Sequence, residues 1–525
     1  RWSQIATSLG FGFTMGANLS SALNIMFDMP MAVAPYLNGE YGTRKSTKAL
    51  GRANRFFMGS PSTKMVTIMN ADGNLETVEV KQRAHNKGIE NYNFDDPNLA
   101  ADIRLLKTLV EKAGARGMFN QSIDQEHVDL SETRDVIAKI SETSGFLVHH
   151  GERYSRQITL VASYNLELDK ITGGKREPTQ AEMDAAADKA MDTAELTLGS
   201  TASAGRPVWA QNAVGNVAFL FKRFAVSRYY FMAHLVDQSL AGASPETRKI
   251  ARYQLGYFMA STAALAGVGG MPLMGAASAI YNLFADDDED DFEAMMTKTL
   301  GSTIYDGLAN EILGVDIASR VSMNSLLYRP PFIEKDQNPL YTLFEQLGGP
   351  VVGIVNSGFR GADMINEGNI RRGLETMAPA VLRNISKAER FATEGANTLR
   401  GDPIVDDLNP YNAFMQAIGF APAAYIENLG INSNERRKQN AVDTERRRLM
   451  RRHNMAKTEG DSGAVRQVLE KIRKFNDELP ANFQDDKIDG PALAKSYSGF
   501  GTTSSNMING IVYTDAMRRS REDYN

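Results

Sequence analysis

Residues 244–285 read SPETRKIARYQLGYFMASTAALAGVGGMPLMGAASAIYNLFA, and the pattern is helical from its first position. Ser244-Pro245-Glu246 has the composition of a helix start: a hydroxyl to cap free amides, then a proline where no amide is needed. From Tyr253 to Ala285 no side chain carries a charge. About 20 apolar residues suffice to cross a bilayer, but Gly267, Gly269, Gly270 and Pro272 cut this run into two arms. Small residues recur at four-residue spacing at Gly256, Ala260 and Ala264, and again at Ala263 and Gly267, which lets a second helix approach closely. Two readings stand. The segment is a helical hairpin buried in a large soluble core, or a hairpin that inserts into a membrane under the right conditions. Tyr253, Gly256, Ala260, Ala264, Gly267, Gly270 and Pro272 are the residues that would carry a membrane or assembly role.

Both flanks of this run are informative. Upstream, the stretch from Val208 to Leu240 reads as one long helix, apolar over most of its circumference through Phe219, Leu220, Phe221, Phe224, Tyr229, Tyr230, Phe231 and Leu235. Lys222, Arg223 and Arg228 interrupt it and must snorkel or pair, and a helix this aromatic has to be covered by protein or lipid. Downstream, Asp286 to Asp291 form an unbroken acidic run, the pattern of a solvated loop or helix-start cluster. The spacing of a calcium-binding loop, with its central glycine and terminal glutamate, is missing.

Farther out, helical spacing dominates. Residues 1–37 are helical, with Pro30 and Pro35 expected to end the pattern, and a polar turn at 39–42 leads to a short helix through Phe57. Met65–Met69 and Leu75–Val80, joined by Asn70-Ala71-Asp72-Gly73-Asn74, read as a β-hairpin. Helical stripes resume from about 101, and Pro178-Thr179-Gln180-Ala181-Glu182 opens an alanine-rich helix. The expectation is a mainly α fold, an elongated multi-helical assembly with one small β-hairpin. Its segments are an N-terminal helical stretch (1–57), hairpin and linker (58–100), a helical domain (101–205), the apolar block with the acidic loop (206–330), a second helical domain (331–432), and a basic helix with a polar, Gly/Ser/Asn-rich tail (433–525).

Composition narrows the function. A hydrophobic fraction of 42% with 23% charged residues belongs to a folded chain, and a net charge of −5 gives no global basic field for nucleic acid. With no cysteine there is neither disulfide, thiolate nucleophile nor cysteine-held metal. The chain opens at Arg1 without a secretory leader pattern and is read as part of a longer polypeptide. None of the six histidines stands in a spacing that presents two metal ligands on one helix face, and His149-His150 diverge as neighbours. Gly267-Val268-Gly269-Gly270 lacks the lysine and hydroxyl of a phosphate-binding loop, and no nucleophile elbow is present. No catalytic, cofactor-binding or metal residue is therefore nominated. One local charge feature remains: Arg436, Arg437, Lys438, Arg446, Arg447, Arg448, Arg451 and Arg452 lie on one helix among few acids. That strip suits phosphates or anionic lipid heads, or equally a solvated face paired within an assembly.

Four stretches in order resemble a known class. They are Met15-Gly16-Ala17-Asn18-Leu19-Ser20-Ser21-Ala22-Leu23 with Leu37 to Gly42; Glu152-Arg153-Tyr154-Ser155-Arg156 with Ala162-Ser163-Tyr164; Phe219 to Phe224; and Arg383-Asn384-Ile385-Ser386-Lys387-Ala388 with Gln416-Ala417-Ile418-Gly419-Phe420. Over most of residues 1–460 this order is similar to the C-terminal part of the large internal core (ejection) proteins of podoviruses, and to related large polyvalent phage proteins. The resemblance implies a structural homo-oligomer packed inside the capsid with the portal and other internal core proteins. It implies expulsion with the genome to form a conduit across the host periplasm and inner membrane, with genomic DNA as a possible direct partner. The rival expectations are a DNA-guiding module of that apparatus, or the non-catalytic part of a larger enzyme such as a lytic transglycosylase or an antirestriction protein. Neither a catalytic motif nor a cofactor is carried over, and the acidic run at 286–291 has no counterpart in the class.

Overall fold

The computed structural model describes residues 10, 12–14, 18–58, 62–69, 75–82, 88–94, 101–119, 135–199, 222–284, 290–324, 349–398, 402–405, 408–505, 507–508 and 511–512. The expected stripe around Leu130, the start of the helix at Val208, the aromatic stretch before Lys222, most of the acidic run and the loops near 328–340 lie outside these residues. The chain is mainly α, as its periodicity predicts. It divides into two compact units, Arg1–Ala279 with Met296–Asn428, and Ile280–Met295 with Leu429–Asn525.

In the first unit the helices are α1 (Leu19–Met26), α2 (Ala34–Tyr41), α3 (Thr43–Met58), α4 (Lys107–Ala115), α5 (Asp135–Thr172), α6 (Gln180–Leu198), α7 (Lys222–Ala241) and α8 (Pro245–Ala266). Asn18 caps α1, accepting from the Ser20 amide. Pro30 and Pro35 do not end the helical path, contrary to expectation: a π-helical turn, Met29–Val33, links α1 to α2. Both prolines stand inside this path, where each lacks an amide donor, and the wider π-helical turn, in which the Ala34 amide donates to the Met29 carbonyl, carries the chain past them. The break comes instead at Gly42, and α3 starts immediately after it.

The long helix α5 organises the core, packing along α6, α3 and α1. Ile158, Val161, Tyr164 and Leu168 from α5 join Leu37, Phe56, Leu106, Leu109, Met191, Phe231 and Phe258 in one continuous apolar cluster. Thr179 and Glu182 close a capping box at the start of α6, and Ser244 caps α8 by accepting from the Thr247 amide, with Pro245 in the first turn. Arg228 on α7 does not snorkel. It is buried and forms an ion pair with buried Asp28. At the end of α2 the Tyr41 hydroxyl donates to Glu167 at 2.6 Å, while Lys170 and Lys189 reach Glu40.

The hairpin is present as β1 (Ser62–Met69) and β2 (Leu75–Gln82), antiparallel, with Val66 opposite Val78. Two further antiparallel pairs, each strand two or three residues long, join Ala396–Asn397 to Pro403–Val405 and Met507–Ile508 to Ile511–Val512.

Beyond α8 come α9 (Met274–Phe284), α10 (Phe292–Leu300), α11 (Ser302–Asp306), α12 (Leu308–Leu313), α13 (Gly349–Asn366), α14 (Ile370–Met377), α15 (Ala380–Glu394), α16 (Pro410–Ala417) and α17 (Ala423–Glu459). A smaller cluster of Met31, Ala266, Ala309, Val315, Ile317, Val321 and Phe420 holds the 309–321 region and the Phe420 turn. Helices α13 and α14 pack where Gly361 meets Gly373. A β-carbon on either would fall within 2.7 Å of the other's carbonyl oxygen, so only glycine fits both positions.

The second unit is built on α17 from Leu429 onward, α18 (Ser462–Glu478) and α19 (Gly490–Ser505). Asp461 caps α18 by accepting from the amides of Gly463 and Ala464 at 2.9 Å each. Leu449, Ile472 and Ile488 form its apolar centre together with Leu493. The start of the polar tail is helical rather than irregular. Asp489 accepts from the Ala492 amide at 2.8 Å, and Leu493 then has an apolar site to fill. The side chain of Asn476 bonds both the amide and the carbonyl of Ile488, which fixes the turn into α19.

Candidate functional site

The uncharged run resolves into α8, a turn at 267–273 and α9. One face of α8 is buried through Ala251, Gln254, Phe258, Thr262 and Ala266. The other face exposes Tyr253, Gly256, Tyr257, Ala260 and Ala264, so the stripe of small residues faces outward within this unit. Gly267 and Gly270 do not belong to that stripe. Both are buried in the turn, where the amides of Val268 and Gly269 donate to the carbonyls of Ile304 and Tyr305 at 3.0 and 2.9 Å. Gly267 has φ +67°, and a β-carbon there would meet the Tyr305 carbonyl, so close packing explains this glycine. Pro272 is half-buried beside it. Among the described residues, no helix is long and apolar enough to cross a membrane.

Exposed apolar side chains, not anticipated from the sequence, recur on each of the helices α13 to α16. Val355 and Phe359 stand one turn apart on α13; Ile370, Leu374 and Met377 line one side of α14; Leu382 and Ile385 follow on α15 and Phe414 on α16. Phe359 is 69% exposed. Helical spacing was visible in each of these segments. Which face the neighbouring helices leave uncovered follows from their packing, which the spacing alone does not give.

The basic strip divides by exposure. Arg436, Arg447, Arg448, Arg451 and Arg452 are exposed, whereas Arg437 and Arg446 are half-buried. Lys438 does not join this face. It is buried and pairs with Asp290 at 2.5 Å and Glu435 at 3.3 Å. Burial lowers the Lys438 pKa, but the bonds to the two carboxylates outweigh it and hold the ammonium above the usual lysine value. Asn434 donates to Asp290 at 3.0 Å and accepts from the Asp291 amide. The end of the acidic run is therefore tied to the start of the basic helix within one unit. Arg448 pairs with Glu445 one turn before it, and Arg447 donates to the Asp443 carbonyl, leaving its charge unneutralised by that bond.

Several of the motif residues make packing contacts. Ser20 donates its amide to the Ile418 carbonyl at 3.0 Å, bringing the first and last of the four stretches together. Arg153 pairs with Glu90, Gln157 bridges Glu90 and the Ile89 amide, and Tyr154 packs edge-on against Phe57 at 5.2 Å. The aromatic part of the third stretch lies outside the described residues.

No cluster of three or more potential metal ligands occurs among the described residues. A cavity of about 290 Å³ is lined by Met26, Met29, Pro30, Ala34, Leu50 and Ile158, with Asn54 and Tyr154 as its polar members; the Tyr154 hydroxyl donates to Asn54 at 3.2 Å, and no titratable acid or base joins them. Among the described histidines, His453 is buried beside Asn454, which donates to Ser496 at 2.9 Å. No family model matches the chain, and no match is found among curated proteins or solved structures.

Proposed function

We propose that this chain is a structural assembly protein, the helical part of an internal virion core of the kind its motif order resembles, acting in genome ejection. The observation that carries an assembly role is the set of exposed apolar side chains on α13 to α16, from Val355 and Phe359 to Phe414. Water-exposed side chains of this size on consecutive helices are the mark of a surface meant to be covered. The covering partner in this reading is another copy of the chain, and the bare stripe at Gly256, Ala260 and Ala264 offers a second close-packing face. The proposed setting is the capsid interior on the portal, with other core proteins as neighbours, and the host envelope after ejection. A photo-crosslinking residue placed at Phe359 or Leu374 tests it. Crosslinks between copies are expected at these positions and absent at exposed polar sites such as Lys474; no inter-copy product at either position contradicts the reading.

A second reading rests on the exposed arginines of α17. Arg447, Arg448, Arg451 and Arg452 present four positive charges over little more than one turn, suited to a phosphodiester backbone. Replacing all four with glutamine is expected to flatten the salt dependence of DNA binding. Absence of binding by the unaltered chain removes this reading.

A further inference from the structure

Helix α15 has a second, different face. Arg383, Lys387 and Arg390 stand at successive turns along it, and Arg372 approaches from α14. Arg390 binds the carboxylate of Glu375 at 3.1 Å, and Arg372, Arg383 and Lys387 also feel its charge. Both members of that pair are almost fully buried, and the Arg390 Nε is buried with no hydrogen-bond partner. Arg372 is held by the neutral carbonyls of Asn397 and Thr398 at 2.8 and 3.1 Å, so its charge is oriented but not cancelled. The next carboxylates, Glu389 and Glu394, are engaged by Arg371 on the exposed side. Neither Arg383 nor Lys387 forms a side-chain ion pair among the described residues. Lys387 is pushed below its usual value, first by burial and then by Arg383, Arg390 and Arg372, against the pull of Glu375.

Holding like charges together in a half-buried place is unfavourable unless an anion completes the set. We propose that Arg383, Lys387 and Arg390, with Arg372, form a binding site for a phosphate group, either a free phosphate anion or one phosphodiester of a nucleic-acid backbone. The excess of cations over Glu375 suits the roughly −1.5 to −2 charge of a free phosphate, and it also accommodates the single charge of a phosphodiester. Guanidinium forks flanking a lysine point charge are also the usual donor set for its oxygens. This site is separate from the arginine strip of α17 and does not depend on the assembly reading.

The test is calorimetric titration of the full chain with inorganic phosphate at constant ionic strength, chloride serving as the reference anion. Unaltered protein is expected to bind phosphate. The double variant Arg383→Gln/Lys387→Gln is expected to lose on the order of 100-fold in affinity, as removal of two charge-assisted hydrogen bonds implies. The conservative pair Arg383→Lys/Lys387→Arg should retain most of the affinity. The single variants Arg383→Gln and Lys387→Gln, each expected to lose about tenfold in affinity, stand in if the glutamine pair does not fold, which circular dichroism reports. A labelled oligothymidylate, added to a background with Arg447, Arg448, Arg451 and Arg452 changed to glutamine, separates the two sources. Displacement of phosphate assigns the site to nucleic acid, and no displacement assigns it to the free anion. Phosphate heats no different from chloride, or a double variant binding as tightly as the parent, overturns the proposal.

Discussion

Glu375 shows how much of this molecule depends on single buried charges. It is almost fully buried against Arg390 and also accepts from Ser386. Removing one partner of such a pair strands the other, at a cost of about 3–5 kcal/mol. Glu375→Gln is therefore expected to lower stability by about that amount in denaturant unfolding, and a change within error of zero would contradict the burial. Lys387 gives a prediction of opposite sense. Its folded pKa lies below the 10.5 of a free lysine, so the folded state carries fewer protons than the unfolded state in that interval. In phosphate-free buffer, stability should rise as pH climbs from the folded pKa toward 10.5, and Lys387→Met should abolish that rise. Unfolding midpoints of both proteins across this range decide it. Arg383 to Ala388 stood out in the sequence as a motif, but its meaning did not. Arg372 and Glu375 meet it only after α14 folds back, and spacing along one helix says nothing of a second helix. The same limit misplaced Lys438, which looks like one more arginine-strip cation until Asp290, far upstream, is brought beside it.

At the scale of elements, local chemistry was legible wherever it decides the outcome. Ser244-Pro245 starts α8, Thr179 and Glu182 cap α6, and β1 pairs with β2 as the alternating residues predict. Ser244→Ala is expected to cost about 1 kcal/mol, the usual worth of an N-cap, seen as an earlier unfolding midpoint. Prolines misled because a helical path can accommodate them without ending: the π-helical turn Met29–Val33 carries the chain past Pro30 and into Pro35. The helix at Gly490–Ser505 was hidden by its Gly/Ser content, and its Asp489 cap and the apolar site for Leu493 outweigh that propensity. The tie between the acidic run and α17 makes a further prediction. Lys438→Met removes the buried ammonium that Asp290 and Glu435 share and should destabilise the second unit by about 1–3 kcal/mol, the cost of losing a charge-assisted bond. Asp290→Asn in the same background should recover part of that loss, and a purely additive double variant would show that the two do not interact.

For the whole molecule, the mainly α class and the helical, glycine-broken nature of the 253–285 run were readable from periodicity alone. The outward faces were not, because an exposed apolar side chain looks like a core residue in sequence. Phe258 and Tyr257 are neighbours on α8, yet one is fully buried and the other exposed. This has a practical consequence, since deleting residues 253–285 would remove Phe258 and Ala266 from the apolar clusters and unfold the unit. Point changes on the outer face, such as Tyr253→Lys with Tyr257→Lys, are the proper probe of lipid affinity. In the proposed assembly the exposed apolar side chains of α13 to α16 are covered by another copy of the chain. Sedimentation velocity over a hundredfold concentration range tests it most directly, comparing the unaltered chain with Phe359→Lys/Leu374→Lys. Concentration-dependent oligomers that dissolve in the folded double variant are predicted; a chain that stays monomeric throughout, or a variant that assembles unchanged, would contradict the account.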